Sequence, residues 1–208
     1  MKDQTQNNEF SGITGKISAW MMSGWPRKIL EHIAFGNPIP LFFKILNLKG
    51  DEVVVDSGCG SGFYSLALGE KLVNGKVISV DISNEMLEKL RRQVDKRRLN
   101  NRIEVRKGDC TDLPVVDNFA DVGIIVAVWH HLSDTRKANK ELFRVIKPSG
   151  RIIAIDFKDG GHHNQDIGND KHKTLGIKEM NALLKDAGFV NIKVEFVGSW
   201  VVGYADKP

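Results

Sequence analysis

Apolar residues recur along this chain in short continuous runs, and that pattern predicts buried β-strands. The clearest runs begin at Val53, Ala120 and Ile152, where β-branched residues follow one another closely. A strand that is covered on both faces of a parallel sheet has this composition. Together with two shorter runs, the predicted strands cover Val53–Asp56, Lys76–Val80, Arg102–Arg106, Ala120–Val128 and Arg151–Phe157.

Between these runs the apolar residues recur at helical spacing. Leu41–Leu48 and Phe63–Val73 have helix-forming composition. Ser83 and Ser133 each precede a helical pattern and can cap it, because a serine hydroxyl accepts a hydrogen bond from a free N–H of the first turn. Leu87, Leu90 and Val94 form one predicted buried stripe, and Ala138, Leu142 and Val145 recur at helical spacing on the next helix. A later predicted helix carries Ile177, Met180 and Leu184.

Two strands end the pattern. Val190–Val197 and Trp200–Tyr204 are separated only by Gly198 and Ser199. A two-residue link makes a hairpin, so the last strand runs antiparallel to its neighbour. The earlier alternation of strands and helices predicts a parallel sheet with helices on both faces. The predicted fold class is therefore α/β, with a seven-stranded, mostly parallel, Rossmann-like sheet that ends in an antiparallel hairpin.

The length of 208 residues predicts a single domain, residues 1–208, in three segments. Residues 1–50 form a predicted N-terminal helical cap, in which prolines separate short helices around Trp20 and Trp25. Residues 51–157 hold the strand–helix core. Residues 158–208 hold a long polar loop, one helix and the hairpin.

A glycine-rich turn follows the first predicted strand, which ends at Asp56. Gly58, Gly60 and Gly62 occupy every second position before a predicted helix. Glycines let the backbone turn sharply and approach a ligand closely, and a helix N-terminus presents free N–H groups. Strand, glycine turn and helix in this order predict a nucleotide-binding site. A glycine turn that binds nothing is the structural alternative.

Acidic residues close the next two predicted strands as well. Asp81 ends the second strand, 19 residues after Gly62, where a carboxylate can accept hydrogen bonds from two ribose hydroxyls. The apolar Ile82 and Met86 follow and can pack on a base. Asp109 and Cys110 follow the third strand. Since ligands of open α/β sheets bind beyond the carboxyl ends of the strands, these residues are predicted to share one site.

The glycine turn resembles motif I of the class I S-adenosylmethionine-dependent methyltransferases, D-x-G-x-G-x-G. Two further segments resemble that family in register, one from Gly108 to Pro114 and one from Lys147 to Arg151. The resemblance runs from about Asp51 to Phe157 and implies the methyltransferase form of the Rossmann-like fold, with S-adenosylmethionine as cofactor. The cofactor-binding residues it implies are Asp56, Gly58, Cys59, Gly60, Gly62, Asp81, Ile82, Met86, Asp109 and Cys110.

The resemblance implies that Asp56 interacts near the amino acid portion of the donor and that Asp109 hydrogen-bonds the adenine amino group. The structural alternative for Asp56 is that it accepts backbone N–H bonds and holds the turn. Cys59 and Cys110 are predicted to be small residues that line the pocket, because neither a structural disulfide nor a zinc site suits their setting.

The acceptor side offers two candidate bases, His130 and His131, directly after the fourth predicted strand. Such histidines in this family also line the pocket without taking part in catalysis, and we favour that interpretation. His162 and His163 lie in the loop that borders the acceptor site, with Asp166, Asp170 and His172 downstream. Their spacing matches no specific metal motif, so we predict a polar lid and no metal.

Charge and composition limit the partners. The net charge is +4 and much of the excess lies in one basic segment, Lys89–Lys107. We interpret this segment as a solvated helix face, which disfavours nucleic acid as a partner. No apolar run is long enough to span a membrane, and residues 1–9 lack the apolar core of a signal peptide, so we expect a cytoplasmic protein.

The predicted function is methyl transfer to a small-molecule acceptor. Methylation of a protein or RNA, for which the basic segment is the support, is the first alternative. A non-catalytic protein that binds S-adenosylmethionine is the second, and an NAD oxidoreductase is disfavoured by the glycine spacing and the terminal hairpin. The chain lacks the Asn-Pro-Pro-Tyr run of enzymes that methylate bases or glutamine, and its two cysteines disfavour arsenite as the acceptor.

Overall fold

The computed structural model describes residues 39–158 and 175–208. Its seven strands are β1 (Val53–Ser57), β2 (Lys76–Asp81), β3 (Ile103–Lys107), β4 (Ala120–Val126), β5 (Ile146–Phe157), β6 (Val190–Val197) and β7 (Trp200–Asp206). Its five α-helices are α1 (Ile39–Leu46), α2 (Phe63–Lys71), α3 (Asn84–Lys96), α4 (Thr135–Val145) and α5 (Ile177–Ala187). One 3₁₀ turn, Trp129–His131, follows β4. The predicted order of elements in the core is confirmed.

The strands form one sheet in the order β3-β2-β1-β4-β5-β7-β6. Every neighbouring pair from β3 to β5 is parallel, and β7 is antiparallel to both β5 and β6. After β1, the chain first adds β2 and β3 on one side of β1. It then crosses to the other side of β1, where it adds β4 and β5. This reversal of strand order opens a crevice beyond the carboxyl ends of β1 and β4, where α/β sheets bind their ligands.

Helices cover both faces of the sheet, as the sequence predicts. One core cluster packs α1, α2 and α3 against one face, with Phe42, Leu68 and Leu90 among its fully buried members. The other packs α4 and α5 against the opposite face through Leu142 and Met180. The predicted stripes on α3 and α4 are buried throughout.

Two local expectations are wrong. Asp134, not Ser133, caps α4, because its side chain accepts the N–H of Lys137 at 2.9 Å. The fifth strand was predicted to begin at Arg151, but β5 begins at Ile146, because Ile146 pairs with Ala120 across a register shift.

Several expectations lie outside the described residues. They concern most of the N-terminal cap, including Trp20 and Trp25, and the polar loop that carries His162 and His163. Within residues 39–158 and 175–208, no helix is long and apolar enough to cross a membrane. The division of the chain into three segments stays a prediction.

Candidate active site

The glycine turn between β1 and α2 folds back over the end of β2. The backbone N–H groups of Gly58 and Cys59 both donate to the carbonyl of Val80, at 2.8 and 2.9 Å. Gly58, Gly60 and Gly62 have φ angles of 76°, 54° and 88°, in the left-handed region that favours glycine. The turn therefore requires glycines for its backbone path alone, before any ligand is considered.

The space around the three glycines separates their roles. A Cβ on Gly58 would meet Val128 Cγ2 at 2.5 Å, and a Cβ on Gly62 would meet Leu90 Cδ1 at 2.1 Å. A Cβ on Gly60 would meet no atom within 4 Å. Two of the glycines thus make room for the protein's own side chains, while the middle one faces open space. That open space meets the requirement that a bound nucleoside cofactor be able to approach the backbone closely.

Asp81 ends β2 and binds the turn directly. Its Oδ2 accepts the N–H of Gly60 at 2.7 Å and its Oδ1 accepts the N–H of Ser83 at 2.8 Å. Burial raises the pKa of this carboxyl group, and the hydrogen bonds from Ser83 and Gly60 oppose that rise. A carboxylate offers about four acceptor positions, so each oxygen retains capacity for a ligand hydroxyl.

Asp56 is 3% exposed and faces α2. Its Oδ2 accepts the hydroxyl of Ser65 at 2.5 Å, and the hydroxyl of Ser79 in β2 donates to Ser65 Oγ at 2.8 Å. Burial raises the pKa of Asp56 to about 7, although hydrogen bonds from the Ser65 hydroxyl and backbone N–H lower it. The acid therefore joins β1 to α2 through Ser65, whereas the structural alternative from the sequence was that it holds the glycine turn.

The two cysteines are free and buried. Burial raises the pKa of Cys59 well above its ordinary value and raises the pKa of Cys110 to about 12. Each thiol also feels the charges of Asp56 and Asp81, so the two cysteines lie within the same group of residues. Both are thiols, not thiolates, at neutral pH.

The remaining predicted cofactor residues lie on either side of Asp81. Met86 is in the first turn of α3 and is 2% exposed, while Ile82 is half-buried. Oδ1 of Asp109 accepts both the backbone N–H and the hydroxyl of Thr111, at 2.8 and 3.0 Å. The structure thus places the predicted residues around the ends of β1, β2 and β3, and their role in binding a cofactor stays a prediction.

His130 lies in the 3₁₀ turn after β4 and is paired with a residue that our sequence analysis missed. Its Nδ1 is 2.7 Å from Oδ1 of Asp156 in β5, and the two side chains are 6% and 2% exposed. The His131 ring packs on His130 with centroids 3.9 Å apart. The signal for Asp156 was present, since an acid at the end of an apolar strand is also what marked Asp56 and Asp81.

The two halves of this region are in contact. Val128, two residues before His130, fills the space beside Gly58. The 3₁₀ turn that carries the histidines therefore packs against the glycine turn. Among residues 39–158 and 175–208, no group of three or more histidine, cysteine or acidic side chains is arranged to hold a metal ion.

The fold and site define a class of protein. The order β3-β2-β1-β4-β5-β7-β6 with an antiparallel β7, a glycine turn after β1 and an acid at the end of β2 is the Rossmann-like methyltransferase fold. Residues 55–154 match the family model described as a methyltransferase domain. A solved structure of a SAM-dependent methyltransferase from Aquifex aeolicus is 30% identical, with a TM-score of 0.73, and the match covers 86% of this chain and 93% of that one.

Curated relatives agree with this match. A demethylmenaquinone methyltransferase of Lactobacillus johnsonii is 28% identical over 148 residues, which cover 71% of this chain and 55% of that protein. An arsenite methyltransferase of Halobacterium salinarum is 30% identical over 164 residues, which cover 72% of this chain and 42% of that protein. This chain belongs to the class I S-adenosylmethionine-dependent methyltransferases. It spans about half the length of the curated relatives it matches.

Proposed function

We propose that this chain binds S-adenosylmethionine at the glycine turn and transfers its methyl group to a small-molecule acceptor. The observation that carries the proposal is the open space beside Gly60, which neighbours the Asp81 carboxylate at hydrogen-bond distance. An open site for close backbone approach, next to an acid that can bind ribose hydroxyls, suits a nucleoside-containing donor.

Each donor contact is assigned to a residue whose own bonds leave room for it. Asp81 keeps acceptor capacity on both oxygens for the ribose. Thr111 occupies Oδ1 of Asp109 with both of its donors, so we assign Oδ2 to the adenine amino group. Ile82 and Met86 provide the apolar surface for the base. Asp56 faces Ser65, so we assign its contribution to donor binding to fixing α2 beside the glycine turn.

The donor supplies a methyl group that its sulfonium makes electrophilic. The protein's part is to hold the acceptor in line with that methyl group and to keep water away. The 3₁₀ turn after β4 suits this task, because it packs against the glycine turn through Val128 and carries the nearly buried His130.

A small-molecule acceptor is supported by the relatives, whose names specify demethylmenaquinone and arsenite. Arsenite is disfavoured for this chain on chemical grounds. The arsenic atom of arsenite is a soft centre, and thiolates are the protein ligands that bind such a centre. The chain's two cysteines, Cys59 and Cys110, are buried thiols with raised pKa values within the cofactor region.

Methylation of RNA or a protein is a second candidate, and the basic segment Lys89–Lys107 is the observation in its favour. Part of that segment is engaged within the protein, since Arg97 pairs with Glu70 and Arg106 pairs with Glu104. Arg102 donates to the carbonyl of Leu72 at the end of α2. RNA binding through the remaining charges would weaken steeply with salt. Weak or salt-independent binding would remove RNA as a substrate.

The experiment that tests the proposal is calorimetric titration with S-adenosylhomocysteine, with NADH as the control ligand. Binding of the first and not the second is the expected result. The protein is then incubated with S-adenosylmethionine labelled in the methyl group and with the low-molecular-mass fraction of a cell extract, and the label is expected in a new small molecule. Binding without transfer to any fraction would favour the non-catalytic alternative, and binding of neither ligand would overturn the proposal.

A further inference from the structure

Asp156 lies at the end of β5, beside the turn that carries the two candidate bases. Oδ1 of Asp156 is 2.7 Å from Nδ1 of His130, and its Oδ2 accepts the backbone N–H of His130 at 3.3 Å. The backbone N–H of Phe157 donates to Oδ1 at 2.7 Å. Three donors thus converge on the carboxylate of Asp156, whose side chain is 2% exposed, and this fixes its orientation toward the imidazole.

The pairing determines which nitrogen of His130 is basic. A carboxylate only accepts hydrogen bonds, so Nδ1 carries the proton and Nε2 is the nitrogen that can take up another. A general base whose orientation is set by a third group has this arrangement.

The packing places the pair beside the proposed donor site. Val128 joins the histidine turn to Gly58, and β4 is the parallel neighbour of β1. On its other side the His130 ring meets Phe157 edge-on, with centroids 5.1 Å apart, and Phe157 stacks on Trp200 at 4.6 Å. Aromatic rings therefore restrict the movement of the imidazole and keep its surroundings apolar.

We propose that Asp156 is a positioning residue that holds His130 as the general base of methyl transfer, and that the acceptor is a group that must lose a proton. This proposal rests on the proposed function and narrows its substrate class to molecules with a hydroxyl, a protonated nitrogen, a thiol or an acidic carbon. A thioether or a tertiary amine, which has no proton to give, would need no such pair.

The acceptor atom forms a bond to the methyl carbon while the bond from that carbon to sulfur breaks, and its electron pair returns to sulfur. The acceptor's proton passes to Nε2 of His130, which becomes an imidazolium bonded to Asp156. Neutral S-adenosylhomocysteine and the methylated acceptor leave, and the imidazolium releases its proton to water.

The test uses the full chain, labelled S-adenosylmethionine and three acceptor probes: catechol, ethanolamine and dimethyl sulfide, with the low-molecular-mass cell extract as a fourth. Asp156→Asn, Asp156→Glu, His130→Gln and the double variant His130→Gln/Asp156→Asn are compared with the wild type across pH. Asp186→Asn, the same chemical change in an exposed ion pair with Arg136, is the matched control. Affinity for S-adenosylhomocysteine and thermal stability are measured for each variant.

The wild type is expected to methylate a proton-bearing acceptor at a rate that rises with pH to a plateau. Asp156→Asn should lower that plateau by about 100-fold or more with affinity for S-adenosylhomocysteine unchanged, since a positioned base contributes about 10²–10⁴ in rate. Asp156→Glu should recover part of the loss. The plateau rate of the double variant should be no lower than that of His130→Gln alone, because Asp156 acts only through the imidazole of His130.

Other outcomes overturn the proposal in distinguishable ways. Equal rates and pH profiles for the wild type and Asp156→Asn, or losses that add in the double variant, would reduce the pair to a structural contact while leaving the proposed function intact. Transfer to dimethyl sulfide alone would contradict the acceptor class. Binding of S-adenosylhomocysteine without transfer to any probe or extract would contradict the proposed function itself, and this inference with it.

Discussion

The carboxylate of Asp81 accepts the backbone N–H of Gly60 at 2.7 Å, so the acid that we assign to the ribose also holds the turn on which the donor rests. The same side chain accepts the N–H of Ser83 at the start of α3. One residue at the end of β2 thereby connects the glycine turn, β2 and α3. Loss of this carboxylate would alter the shape of the site as well as its chemistry.

Asp81→Ala is expected to weaken S-adenosylhomocysteine binding by about 10–100-fold, because hydrogen bonds to a charged group contribute about 1.5–3 kcal/mol. It should also cost some stability, since the N–H groups of Gly60 and Ser83 lose their acceptor. Calorimetry and urea unfolding measure the two effects. Ser83→Ala, which removes a neighbouring hydroxyl but keeps the carboxylate, is the control and should leave affinity within about twofold. Unchanged affinity in Asp81→Ala would show the ribose assignment to be wrong.

Gly60→Ala and Gly62→Ala should separate binding from folding. The Cβ of an alanine at position 60 meets no atom within 4 Å, so Gly60→Ala should fold. Its free energy of unfolding should fall by about 1 kcal/mol, because alanine disfavours the left-handed backbone at this position. Its methyl group would take up space assigned to the donor, and binding should fall below detection. Alanine at position 62 meets Leu90 at 2.1 Å and should cost more stability, about 2–4 kcal/mol from overpacking and backbone strain together.

Chemical unfolding and S-adenosylhomocysteine titration of both glycine variants give the comparison. The prediction requires that the more stable variant, Gly60→Ala, be the weaker binder per folded molecule. Normal donor binding by folded Gly60→Ala would mean that the open space beside the turn is not the cofactor site.

The pKa of Asp56 gives a pH dependence of stability with a definite sign. Burial raises it from 3.8 to about 7 in the folded chain, so the protonated acid stabilises the native state fully below about pH 4. That contribution is lost as the pH rises to about 7, by an amount on the order of 4 kcal/mol at about 1.4 kcal/mol per pKa unit. The free energy of unfolding of Asp56→Asn should not show this decrease, because asparagine does not titrate.

The measurement is the free energy of unfolding of the wild type minus that of Asp56→Asn, from pH 4 to pH 8. Other groups that titrate cancel in this difference. Ser65→Ala removes a hydrogen bond that lowers the pKa of Asp56, so the loss should extend to higher pH in that variant. A difference that stays flat from pH 4 to pH 8 would contradict the raised pKa.

Two adjacent residues before α4 test the position of its cap. Asp134→Ala should lower the free energy of unfolding by about 1 kcal/mol, because the N–H of Lys137 loses its acceptor. Ser133→Ala should change it by less than about 0.5 kcal/mol. Thermal unfolding of the two single variants decides between them, and the opposite order of effects would restore Ser133 as the cap.

The core of the fold could be predicted from sequence because its signals are local. Continuous apolar runs mark the strands, and a period of 3.6 marks the helices, so the stripe of Leu87, Leu90 and Val94 is buried as expected. The hairpin of β6 and β7 follows from a two-residue link. Cap positions are less predictable because two neighbouring polar residues can both serve. At α4, the backbone geometry selects Asp134 over Ser133.

The candidate site was only half predictable, for a physical reason. Asp56, Asp81 and the glycines occur in a local motif, and the structure gathers them at adjacent strand ends. The pairing of His130 with Asp156 joins residues 26 positions apart, and only the register of β4 and β5 brings them together. Likewise, the hydrogen bonds that link Asp56, Ser65 and Ser79 depend on the packing of α2 against β1 and β2, which no sequence spacing shows.

The position of β7 inside the sheet sets an order in which the molecule can assemble. Within the described sheet, β6 is synthesised before β7 yet pairs only with β7, which lies between it and β5. During translation β6 therefore has no strand to join until β7 has left the ribosome. We expect the sheet from β3 to β5 to be able to form first, with the hairpin added as one unit, so that the outer edge of β5 is open to wrong partners in the interval.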